Sequence, residues 1–88
     1  MRIAYVLNVD ADVVVTIRSA LGARVWRTHV RAGEDGGRAL PCSQAVVWDG
    51  RNEFGRLVGT GAYVVRLEIR RPGIPTLLYW LRALVQAP

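Results

Sequence analysis

The chain has 88 residues, enough for one domain with a small core and too few for two. Hydrophobic residues make up 51% of it, which excludes a disordered segment, and its net charge of +5 rests on 12 basic residues that are all arginine. No apolar run is long enough to span a bilayer, and the single cysteine, Cys42, excludes an internal disulfide.

Residues 3–9 open the chain with Ile3, Tyr5, Leu7 and Val9 alternating with Ala4, Val6 and Asn8, the period of a half-buried strand. Asp10, Ala11 and Asp12 follow as a turn, where aspartate bonds readily to nearby backbone. Val13, Val15 and Ile17 alternate with Val14, Thr16 and Arg18, which predicts a second strand rich in β-branched residues. Leu21-Gly22 is the next turn, with Gly22 at the positive-φ position. A third strand is expected over 24–30. Its register is open, because Val25 and Trp26 are adjacent and only one can point inward; a bulge would resolve it. Residues 32–43 hold Gly33, Gly36, Gly37 and Pro41 and read as a loop.

Residues 44–71 carry the densest signal. Gln44 to Trp48 is a short apolar strand. Asp49 to Gly61 is a connection with four glycines, Gly50, Gly55, Gly59 and Gly61, each expected to supply backbone freedom. Asp49 is expected to fold its carboxylate onto nearby N–H groups, and Asn52 to take the left-handed conformation. Trp48 ends a strand and is expected to be buried. Arg56, Leu57 and Val58 are a candidate short pairing segment. From Ala62 onward Tyr63, Val65, Leu67 and Ile69 alternate strictly with Val64, Arg66, Glu68 and Arg70. Arg71 to Pro75 is a turn. The tail, 76–85, has two readings. A strand puts Leu77, Tyr79, Leu81, Ala83 and Val85 on one face and Leu78, Trp80, Arg82 and Leu84 on the other; a helix groups Leu77, Leu78, Leu81, Leu84 and Val85.

Chemical machinery is sparse. His29 has no second histidine and no Cys/His/Asp cluster at ligand spacing, so no metal is expected. Glu34-Asp35 lacks the further oxygen ligands that calcium needs. The glycine-rich stretches fit neither phosphate-binding pattern. Asp49 and Glu53 sit in one turn rather than on facing walls of a cleft, which is where a glycosidase pair belongs. No nucleophile–base pair stands out, so neither an enzyme nor a cofactor is expected. The arginines are spread along the chain, with Arg70-Arg71 the only adjacent pair. Solvated strand faces account for them, and no nucleic-acid partner is expected.

Trp48-Asp49-Gly50-Arg51-Asn52, then Gly55-Arg56, Gly61-Ala62-Tyr63 and Arg66-Leu67-Glu68, resembles the FlgD-type immunoglobulin-like domain, with Tyr5-Val6-Leu7 and Asp12 to Ile17 extending the likeness over about residues 3–71. The family is named after the C-terminal part of the bacterial flagellar hook-capping protein. The resemblance implies an all-β fold, an antiparallel immunoglobulin or fibronectin III-like β-sandwich of about seven strands, with a closing strand over 76–86 and one domain over 1–88. It also implies a non-catalytic structural module in an extracellular or cell-surface assembly. The link 32–43 is longer than the family pattern. No cleaved leader precedes Ile3, so an excised domain, a processed fragment or leaderless export is expected.

As a strand, the tail leaves Leu78, Trp80 and Leu84 with no partner inside a domain this small, which marks them as an interface. The expected partner is a protein, either copies of the chain or a larger surface protein. The alternative is a carbohydrate-binding module in which Trp26, Tyr79 and Trp80 stack on sugar rings and the arginines hold an acidic glycan.

Overall fold

A computed structural model describes residues 1–35, 37–39 and 44–86. The described residues form six strands, where about seven were expected for the whole chain: β1 (Arg2–Tyr5), β2 (Asp12–Ser19), β3 (Arg24–Val30), β4 (Gln44–Val47), β5 (Gly61–Arg71) and β6 (Ile74–Val85). There is no helix among the described residues, and the tail is a strand. Every pairing is antiparallel. β1 and β4 form a two-stranded sheet; the other four form a sheet in the order β3-β2-β5-β6.

The two sheets pack as a β-sandwich. Its core is the alternating set read from the sequence: Val13, Val15 and Ile17 from β2, and Tyr63, Val65, Leu67 and Ile69 from β5. Ile3, Leu7, Val46 and Trp48 meet them from the small-sheet side. β2 is one of the two central strands, bonded to β3 and β5 along its length, and it is buried on its outer face too. Val14 is flanked across the ladder by His29 and Glu68, and Thr16 by Arg27 and Arg66. Arg27 and Arg66 are long enough to lay their stems over Thr16, whereas Glu68 beside Val14 is itself buried and ion-paired with Arg66 and Arg70.

The β2–β3 pairing settles the register of the third strand. Ile17 stands opposite Trp26 and Arg18 opposite Arg24, so Val25 is the extra residue of a bulge. Its carbonyl accepts a bond from Glu53 N at 3.0 Å, and the neighbouring Arg24 pairs with the Glu53 carboxylate at 2.8 Å. The bulge thus ties the glycine-rich connection to the sheet. At the other end, Pro72 and Gly73 turn β5 into β6, with Gly73 at φ 69°. A second register shift follows, between Ile69 and Arg71, and Pro75 sits opposite it. A residue without an N–H is tolerated where the ladder is interrupted.

The loop after β3 closes on Gly37. Its N–H bonds Glu34 O at 2.8 Å, and its carbonyl accepts from Ala11 N and Gly33 N at 3.1 Å each. A Cβ at Gly37 would lie 2.2 Å from the Arg31 carbonyl oxygen and 2.8 Å from that of Ala11, so only glycine fits. Cys42 and the rest of 40–43 lie outside the described residues.

Candidate interaction surface

The connection between β4 and β5 is a closed scaffold. Trp48 has no exposed surface, its Nε1 donates to Arg51 O at 2.8 Å, and its ring meets Tyr63 edge-on at 5.8 Å. Tyr63 Oη donates to Gly59 O at 2.7 Å. Asp49 Oδ1 accepts from Arg51 N at 3.0 Å, the local bond expected of it. Asn52 Oδ1 accepts from Phe54 N and Arg56 N at 2.9 and 3.0 Å. Gly50 and Gly55 both lie at φ 79°. Two expectations are corrected. Asn52 is not left-handed, because its side chain does the turning work by bonding backbone ahead of it. Gly59 and Gly61 do not have positive φ, since Gly61 already belongs to β5. A single bridge, Arg51 to Leu57, replaces a pairing strand at 56–58.

The sequence-derived acid–base candidates are all occupied elsewhere. Asp49 is 3.8 Å from Arg51 Nε, and Glu53 is held by Arg24. His29 Nε2 lies 3.4 Å from Asp12 Oδ2 at the surface. Asp12 also accepts from Ala32 N at 2.8 Å, and this backbone bond, aided by His29 and Arg31, holds its carboxyl below the ordinary value. No three His, Cys, Asp or Glu side chains among the described residues are placed to share a metal ion. No helix among them is long and apolar enough to cross a membrane.

What remains open is β6. The register puts Leu78, Trp80 and Leu84 on the outer face, opposite Glu68, Arg66 and Ala62 of β5. They are 51%, 57% and 85% exposed. Arg82 interrupts the row, so Leu78 and Trp80 form one pair and Leu84 stands alone near the strand end. The Arg66 guanidinium carbon lies 5.7 Å from the centre of the Trp80 ring, a cation–π contact.

Sequence reasoning missed the other face. Leu77, Tyr79 and Leu81 point to the core side, opposite Ile69, Leu67 and Val65, yet all three are exposed. The cause is width. The covering sheet has two strands of four residues each, and it does not reach across four strands. A groove of about 500 Å³ is left between Tyr5, Val6 and Leu7 on one wall and Leu77, Tyr79 and Leu81 on the other. The run of bulky residues at every position from Leu77 to Leu81 was the available signal, because a strand with one covered face needs only every second one.

A second feature was hidden by the spread of the arginines in sequence. Cross-strand register brings Arg18, Arg27, Arg66, Arg70 and Arg82 to the outer face of the large sheet, around Trp80. Glu68 lies among them, bonded by Arg70 at 2.8 Å and by Arg66. The Arg70 bond, with the fields of Arg66, Arg70 and Arg27, holds the Glu68 carboxyl below its ordinary value against the opposing effect of burial. Glu68 and Asp12, which stands opposite Arg70, are two carboxylates against five guanidinium groups, so the face is basic. The three aromatics expected to stack on sugar do not share a surface. Trp26 lies on the inner side opposite Ile17 and packs against the core, Tyr79 is also on the inner side, and Trp80 is outside. No family model, curated protein or solved structure matches the chain.

Proposed function

We propose that the chain is a non-catalytic immunoglobulin-like module of the FlgD type, making protein–protein contacts in an extracellular or cell-surface assembly. The observation that carries this is β6, a 12-residue strand at the end of its sheet with exposed apolar side chains on both faces. Apolar surface left open in that way marks a contact site, and an open strand edge is a ready template for another chain. The Trp48-to-Tyr63 scaffold supports the family reading, because the residues shared with that pattern are those that close the connection: Trp48, Asp49, Gly50, Asn52, Gly55 and Tyr63. All of them serve the fold.

Sedimentation velocity of the parent against Trp80→Arg tests the reading. The parent is expected to associate, with itself or with a larger protein, and Trp80→Arg to lose that association. A monomeric profile for both, with no partner bound by either, would contradict it.

The basic outer face supports a second reading, an acidic glycan held by Arg18, Arg66 and Arg82 beside Trp80. It loses two of its three stacking aromatics to the inner side of the sheet. A glycan array with no acidic binder removes it.

A further inference from the structure

We propose that β6 pairs with β6 of a second copy, antiparallel, about a two-fold axis perpendicular to the sheet near Tyr79. The proposal rests on the reading of β6 as a contact edge and commits it to one partner. The large sheet has two edges, and they differ. β3 is seven residues long, is broken by the Val25 bulge, and carries Arg24, Arg27 and His29. Those are the devices that protect an edge from pairing. β6 has none of them where it runs free. From Leu77 to Val85 its register with β5 is unbroken, it contains no proline, and Arg82 is its only charge.

The two-fold follows from the side-chain period. Antiparallel pairing about an axis perpendicular to the sheet keeps each residue on its own face, inner against inner and outer against outer. With the axis at Tyr79, Leu77 faces Leu81 of the second copy and Leu78 faces its Trp80. Pro75 faces Ala83 and Ile74 faces Leu84, so the seam is regular from Leu77 to Leu81 and runs past the register break at its two ends. Arg82 stands opposite Thr76, away from its own copy. An axis at Trp80 would instead set Arg82 against Leu78. The net charge of +5 resists association in general, but an edge with one charge in twelve residues brings little of it to the seam. The same scarcity argues against a charged foreign strand, which would meet only Arg82. The 11 facing residues from Ile74 to Leu84 run ~36 Å. Counting side chains on both faces, the seam covers on the order of 500 Å² per copy, roughly the lower bound for a specific interface. A concentration-dependent dimer is therefore expected.

The test uses cysteine cross-linking in a Cys42→Ser background. Tyr79→Cys places the new thiol on the axis, beside its own copy; Leu21→Cys, at a fully exposed turn away from β6, is the control. A short bis-maleimide is expected to give covalent dimer from Tyr79→Cys and not from Leu21→Cys. The parent is expected to sediment as a monomer–dimer equilibrium, and Leu78→Lys to weaken it at least ~10-fold. Circular dichroism confirms that each variant is folded. A dimer that Leu78→Lys does not weaken, or that links equally well through Leu21→Cys, overturns the proposal. A chain that stays monomeric while a different protein protects the β6 amides overturns the two-fold and leaves the contact-edge reading standing. No association of either kind removes both.

Discussion

Trp48 is the largest fully buried side chain among the described residues. Its ring is fully buried against Tyr63, and its Nε1 closes the turn that Asp49 starts. Trp48→Ala is expected to cost about 3–5 kcal/mol, the range for emptying a buried aromatic site, read from urea denaturation. Trp48→Phe keeps most of the volume but leaves the Arg51 carbonyl without its donor, and should fall between that variant and the parent. Gly37 is a second sensitive point for the opposite reason, lack of room. Gly37→Ala drives a methyl into two carbonyl oxygens and should destabilise by about 1–3 kcal/mol, measured in the same way. Glu68 gives a pH signature. Its folded-state pKa lies below the usual 4.5, so its contribution to stability is complete above that value. The contribution is lost as pH falls through the lower, folded value. Thermal melts in acid should therefore show a fall in Tm that Glu68→Gln makes shallower, with little difference between the two proteins in its pH dependence near neutrality.

At the scale of elements, the strands were legible wherever side chains alternate strictly between a core face and an outer face, even where the outer face is itself covered, as in β2. Val13, Val15 and Ile17 alternate with Val14, Thr16 and Arg18, and the structure keeps that division of faces across β2. The same holds for β5. The Val25–Trp26 ambiguity was also informative, since two adjacent apolar residues signalled the bulge without saying which one it would leave unpaired. What the sequence could not carry was the width of the cover. Whether Leu77, Tyr79 and Leu81 are core or surface depends on how far β1 and β4 reach, a property of those strands and not of β6. The basic face was invisible for a similar reason. Its arginines come from four strands and become neighbours only through register. Asn52 misled because Asn serves turns in two ways, by adopting αL or by accepting backbone bonds, and here it uses the second. The contrast between the two sheet edges gives an expectation of its own. A lysine at Leu78 should raise solubility, whereas a lysine at His29, exposed on the outer face of the already guarded β3 edge, should change it little, as read from turbidity during concentration.

For the whole molecule, the governing fact is a shortage of cover. Among the described residues of this 88-residue chain, a four-stranded sheet has two short strands laid over it. The fold saturates its centre, at β2 and β5, and leaves β6 with both faces and one edge open. Docking on a protein surface would remove that apolar area from water, which is the physical basis of the contact role we propose. Backbone hydrogen exchange along β6, followed as the protein is concentrated or its partner added, tests this most directly. The account requires that every second amide from Leu77 to Val85 slow markedly while β3 is unchanged. Equal exchange of β6 under all these conditions, or protection that appears at β3 instead, would contradict it.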